Sequence, residues 1–253
     1  MTETKMITKQ VIAMGMPFSV KVVIAADRSF QIMPTVQKVT QYLQHIDQVF
    51  SPFRATSLVC QFQRGELAAT DFTAEFQEVY GLAIRAQTVT EGAFNPFFKG
   101  LFDPTGLVKG WAIQTAFTRY LRPLLTNEAL VAAAINGAGD LQTGVAAMTS
   151  FRWQVGVEDP GDRRQVLAAF QLGNGAMATS GTSQHGEHIV RQDATRTLQQ
   201  ATIIARNLIT ADIWATAAIE LGPTAFYRIT AGQLQSVLVD QTDQVMGEAG
   251  QSC

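Results

Sequence analysis

The apolar spacing of this chain changes period near its midpoint, and that change restricts the fold more than any other feature. Val36, Val39, Tyr42, Leu43, Ile46, Val49 and Phe50 recur at helical spacing for about four turns and stop at Ser51-Pro52. Ser57–Arg64 reads as a short helix closed by Gly65. Phe72, Phe76, Val79, Tyr80, Ala83 and Ile84 mark another that ends before Gly92, and helical spacing resumes beyond Lys109 through Trp111, Phe117 and Leu121. Short apolar runs then take over at 130–135, 153–157, 166–172, 176–179 and 202–205. The turns NGAGD, EDPGD and GNG separate some of them, which predicts an antiparallel meander. One strand, Ser19–Ala25, precedes the helices, and a last helix runs from about Thr210 to Leu221 with Thr210 or Asp212 near its cap. Helices clustered before strands predict an α+β fold, an antiparallel sheet with helices packed on it, and not alternating α/β units. No repeat or linker divides the chain, so one domain over 1–253 is expected, with a disordered tail from about Thr242.

Charge and composition remove several functions. The 253 residues carry a net charge of −2, which offers no basic excess for a phosphate backbone, so no nucleic-acid partner is expected. Two cysteines, Cys60 and Cys253, build neither a disulfide framework nor a Cys-rich metal site. A three-histidine zinc site would need every histidine present: His45, which lies off the helical stripe, His185 and His188. Met1–Gln10 is polar, with no basic patch leading into an apolar region, and no apolar run approaches the ~20 residues of a membrane span. The expectation is a soluble, cytoplasmic protein without a membrane anchor.

Generic catalytic motifs are absent. Gly137, Gly139 and Gly144 do not fit G-x-G-x-x-G, and no G-x-x-x-x-G-K-[ST] occurs. ATSG at 178–181 lacks the first glycine of a nucleophile elbow. Four segments stand out. FDPTGLVKGWA (102–112) runs a turn into a helix start, where free backbone N–H groups and Lys109 suit an anion, although a plain turn and cap has the same form. INGAGD (135–140) is a glycine turn after an apolar run, which a simple hairpin also explains. ATSGTSQHGEHIV (178–190) concentrates hydroxyls, glycines and two histidines, as would a polar loop. In TADIWATAAIELG (210–222), Asp212 and Thr216 stack four residues apart on a helix face. That pair can share a hard cation such as Mg²⁺, or be a capping Asp and a back-bonded Thr.

In this order and combination the segments resemble the ApbE family, the FAD:protein FMN transferases. The resemblance runs from Met14-Gly15-Met16 to the Asp212 helix. It is carried by FSPFRATS (50–57), GAFNP (92–96), DPTGLVKGWA (103–112), INGAGD (135–140), WQVGVEDP (153–160), ATSGTSQHGEHI (178–189) and ADIWATA (211–217). It implies one ApbE-like, T-fold-like α+β domain and an enzyme that cleaves FAD at its pyrophosphate. The FMN half passes to a threonine hydroxyl of an acceptor flavoprotein and AMP leaves. The resemblance implies Mg²⁺ on the side chains of Asp212 and Thr216, with backbone at Gly106 and near Ala215. It places Met14, Ala93, Phe94, Asn95, Asp103, Lys109, His188, Ile189 and Val190 along the FAD, and assigns catalytic roles to His188, Asp212 and Lys109. His188 either takes the acceptor's proton or only contacts FAD. Two other outcomes stay open: hydrolysis of FAD to FMN and AMP, and a non-enzymatic FAD carrier. The chain departs from the family pattern at Gln63 (often Asn), Asn95 (often Asp), Ala138 (usually one of two adjacent glycines) and Arg191-Gln192 (often Asp-Pro).

Overall fold

The run Val22-Val23-Ile24 is continuously apolar because both faces of its strand are covered there, while Ser19 and Lys21 on one face are only half-buried. The computed structural model describes residues 3–98, 100–127, 129–181 and 198–247. In chain order it holds β1 (Thr4–Ala13), β2 (Met16–Ala25), α1 (Met33–Phe50), α2 (Leu58–Gln63), α3 (Ala74–Val89), α4 (Thr105–Tyr120) and α5 (Arg122–Thr126). There follow β3 (Ala132–Gly137), β4 (Asp140–Val145), β5 (Trp153–Glu158), β6 (Val166–Leu172), β7 (Gly175–Gly181) and β8 (Leu198–Ala205). The last elements are α6 (Leu208–Thr230), β9 (Gln235–Asp240) and β10 (Val245–Met246). Among the described residues, eight strands form one antiparallel sheet in the order β1-β2-β3-β4-β7-β8-β9-β10, and β5 pairs with β6 apart from it. The α+β expectation is met.

Side-chain alternation divides the sheet between two cores. Val20, Val22 and Ile24 of β2, with Ala133 and Ile135 of β3, face the helices and pack into the cluster centred on Trp111, Phe117 and Ile213. Val23, Ala132 and Ala134 point the other way, onto Trp153, Val157, Phe170 and Leu172 of the β5–β6 hairpin. Helices, sheet and hairpin therefore stack as three layers, and burying both sheet faces explains the apolar runs without polar alternation.

Several boundaries differ from the sequence reading for identifiable reasons. β1 is mostly exposed and lacks an apolar stripe, so only its pairing with β2 discloses it. β4 follows the two-residue loop Ala138-Gly139, whose φ values of 50° and 97° are those of a tight hairpin turn. β4 pairs with β7, so the strands are not a simple meander; the β5–β6 hairpin is looped out between them. α4 starts at Thr105, ahead of Lys109. α6 is capped by Asn207, whose side chain accepts the Thr210 N–H, and not by Thr210 or Asp212. It continues past a break at Gly222 (φ 69°) and Pro223. Of the expected tail, Thr242–Gly247 is described and includes β10, while 248–253 lies outside the described residues.

Gly137 lies opposite Phe18, and a Cβ there would sit 2.5 Å from Phe18 Cε1 and 3.1 Å from Ile113 Cδ1. Gly137→Ala should lower stability by about 1–3 kcal/mol through overpacking. Urea denaturation reads this as an earlier midpoint with unchanged slope; an unmoved midpoint would show that the aromatic ring yields without cost.

Candidate active site

The site forms where the start of α4 crosses α6. Asp103 accepts the Thr105 N–H at 3.0 Å and also its hydroxyl, which fixes the turn that launches α4. Gly106 and Gly110 lie one turn apart and flatten the helix face that meets α6. A Cβ on Gly106 would lie 3.2 Å from the Phe94 ring and 3.7 Å from Thr216 Cγ2; on Gly110 it would lie 2.6 Å from Asp212 Oδ2. The Gly110 N–H, whose partner in an ideal helix is the Gly106 carbonyl, donates to Asp212 Oδ2 at 2.9 Å. Because Asn207 caps α6, Asp212 falls in its second turn, 5% exposed, with Thr216 one turn further on.

A second buried carboxylate comes from the sheet. The Ala138-Gly139 turn sets Asp140 at the start of β4, where its Oδ1 accepts the Thr179 N–H at 3.4 Å. Its Oδ2 lies 3.0 Å from Lys109 Nζ, with side-chain exposures of 1% for Asp140 and 15% for Lys109. Burial pushes the Asp212 carboxyl well above the usual carboxylate range, and the Asp140 charge pushes it further; Lys109 and the Gly110 amide offset only part. Burial likewise raises Asp140 against the pull of Lys109. Burial alone would lower Lys109, but the charges of Asp140 and Asp212 outweigh it and hold the ammonium above its ordinary value. Two buried carboxylates thus stand near one ammonium, which pairs with Asp140 and leaves the Asp212 charge for a proton or a further cation to balance.

Lys109 and Asp212 line a cavity of about 260 Å³, with Asp140 buried behind the lysine. Its polar end is made by Asp103, Thr105, Gly106, Lys109, Asp212 and Thr216, and by Thr179–Gly181 at the end of β7. Ser180 Oγ and Thr216 Oγ1 are 3.3 Å apart. The rest of the lining is mostly apolar, with Met14, Met16, Phe50, Pro52 and Phe53, the last 81% exposed, interrupted by Asp47 and Ser51. Met14 reaches it from the β1–β2 turn, with φ 51°.

Of the residues singled out in the sequence, Met14, Asp103, Gly106, Lys109, Asp212 and Thr216 meet in this cavity. Ala215 is fully buried beside Thr216 on α6. Phe94 is buried behind Gly106, and Ala93 packs against the helical core. The Asn95 side chain accepts the Phe97 N–H at 2.9 Å and meets Gln87 at 3.3 Å, so it is engaged in its own turn. Gln63 donates to the Phe102 carbonyl at 2.7 Å. His185, His188, Ile189, Val190, Arg191 and Gln192 lie outside the described residues. Sequence reasoning did not single out Asp140, Thr179 or Ser180 as site residues, although all three sit inside the quoted motifs INGAGD and ATSG. The missing signal is cross-strand: Thr179 reaches Asp140 only through the β4–β7 pairing. Among the described residues, no three His, Cys, Asp or Glu side chains gather as a metal cluster.

A sequence profile of the ApbE family matches residues 14–106 and 99–238. Three solved structures share the fold. The flavin transferase ApbE of Vibrio cholerae is 17% identical, with 98% of each chain covered and a TM-score of 0.75. The ApbE protein of Thermotoga maritima is 17% identical over 96% of this chain and 97% of that one, with a TM-score of 0.78. The flavinyl transferase ApbE of Pseudomonas stutzeri, in its apo form, is 18% identical over 96% and 93%, with a TM-score of 0.76. No curated protein matches the sequence significantly.

A carboxyl whose folded-state value is raised holds its proton more tightly in the native protein than in the unfolded chain. Its favourable contribution is therefore complete below the ordinary carboxylate range and is lost as pH rises through the raised value. Asp212→Asn removes that loss and keeps an acceptor for the Gly110 amide. In metal-free buffer at pH 8 the variant should melt higher than the parent, by roughly 2–4 °C for each kcal/mol relieved. An equal or lower melting temperature in differential scanning fluorimetry would contradict the buried-charge account.

Proposed function

Because the chain belongs to the ApbE family, we propose that it transfers the FMN half of FAD to a threonine hydroxyl of an acceptor flavoprotein, releasing AMP. The observation that carries this reading is the buried carboxyl of Asp212 beside Thr216 and Lys109, in a cavity lined otherwise mostly by apolar side chains. A cation-assisted pyrophosphate site next to a surface for planar rings is what FAD cleavage requires.

The residues present fit Mg²⁺. It takes hard oxygen ligands, usually one or two carboxylates completed by water and substrate phosphate, so a cluster of three acidic side chains is not needed. Asp212 and Thr216 supply side-chain oxygens, and the backbone at Gly106 and near Ala215 completes the protein's share. The Gly110 amide's turn toward Asp212 supports the use of the Gly106 carbonyl. When bound, Mg²⁺ neutralises pyrophosphate charge and orients it for displacement.

The remaining work falls to the chain. Lys109 presents its ammonium to the phosphates, and Met14 with the apolar wall excludes water from a ring system of FAD. Asp103, Ala93, Phe94 and Asn95 shape the segments that would flank the dinucleotide, and the family resemblance implies Ile189 and Val190 as further FAD contacts. The acceptor threonine Oγ bonds to the FMN phosphorus as the bond from that phosphorus to the bridging oxygen breaks. His188 takes the threonine proton, and AMP departs with the bridging oxygen.

The test is incubation with FAD, Mg²⁺ and a threonine-bearing acceptor domain, following covalent flavin fluorescence on a denaturing gel and free FMN by chromatography. Labelled acceptor is the expected result; FMN without label would assign hydrolysis, and FAD binding with neither product would assign a carrier. Asp212→Ala should cut transfer by about 100-fold or more, and an unaffected variant would remove the metal role. His188→Ala that keeps the full rate at saturating FAD would remove the base.

A further inference from the structure

The ion pair between Lys109 and Asp140 has a consequence for the neighbouring carboxylate. Lys109 sits on α4 one residue before Gly110, the residue whose amide holds Asp212 at 2.9 Å, and the Lys109 ammonium interacts electrostatically with both Asp140 and Asp212. A lone buried ammonium beside a buried carboxylate pairs with it, because in a low-dielectric site an unpaired charge is costly. Asp140 intercepts that pairing. It is anchored from the sheet, by the tight β3–β4 turn and the Thr179 amide, and holds Lys109 Nζ at 3.0 Å.

We propose that Asp140 is a positioning residue that engages Lys109 and so keeps Asp212 free to take a divalent cation. The inference rests on the metal reading of Asp212 given above. It assigns Asp140 neither metal contact nor substrate contact: its effect passes entirely through the lysine. With Asp140 neutralised, the ammonium turns to Asp212, and a cation must displace it to bind.

A double-mutant cycle separates this from the alternatives. Mn²⁺ alone is the probe, with free ion measured by electron paramagnetic resonance at fixed pH on the intact protein, so no turnover is needed. Asp140→Asn keeps the shape of the side chain and an acceptor for the Thr179 amide. With Lys109 present, that substitution should weaken Mn²⁺ binding at least 10-fold. In a Lys109→Met background the same substitution should change it less than 3-fold, since no ammonium remains to compete. Equal weakening in both backgrounds would overturn the proposal, because Asp140 would then act as a ligand or as plain background charge. Should the Asn variant not fold, Lys109→Met alone decides: Mn²⁺ affinity equal to or tighter than that of the parent supports the proposal, and loss of binding overturns it. A parent protein that binds no Mn²⁺ would overturn the metal reading itself and this inference with it, which distinguishes that failure from additive variants.

Discussion

The hydrogen bond from the Gly110 amide to Asp212 ties two helices together and decides what the cavity can do. It requires a glycine, because any Cβ at that position would fall on the carboxylate. It requires Asp212 to enter from a helix already begun at Asn207, so that the side chain points across the interface and not back at its own first turn. The α6 helix meets those conditions while also packing on β7 and β8, and α4 packs on α1 and the sheet. A carboxylate is thereby buried where apolar packing alone would never place one, and the fold sustains its cost with the large aromatic core around Trp111 and Phe117.

The same logic extends to backbone conformation. Met14 and Ala138 both adopt positive φ outside glycine, each at the tip of a tight hairpin, and each hairpin delivers a site residue: Met14 itself and Asp140. Strained turns at cavity edges are a usual price of placing side chains against the grain of local preference. Ala138 stands where a glycine would adopt the turn more readily.

Much of this could be read from the amino acids, and the parts that could not have physical reasons. The helices α1 and α3 were legible because each buries one stripe, and Ser51-Pro52 and Gly92 stop them. β1 was not, because an edge strand exposed along most of its length carries no burial pattern. β4 hid behind a glycine turn, and Asp140 with it, since its partners Lys109 and Thr179 are brought near only by the fold. Asp212 and Thr216 were legible as a pair from helical spacing alone, whereas the cap at Asn207, three residues upstream of the expected start, needed the hydrogen bond to reveal it. The low net charge first read as a list of exclusions. In the structure it becomes informative, because two buried carboxylates, Asp140 and Asp212, stand beside the single ammonium of Lys109, so the site must recruit a positive charge to hold an anion.

The central claim is that this recruited charge is a divalent cation on Asp212. It is tested most directly by anomalous diffraction from crystals grown with FAD and Mn²⁺ in place of Mg²⁺. The account requires an anomalous peak at about 2.0–2.2 Å from an Asp212 carboxylate oxygen, with Thr216 Oγ1 and a pyrophosphate oxygen in the same shell. Well-ordered pyrophosphate lying on Lys109, with no anomalous density at Asp212, would contradict it.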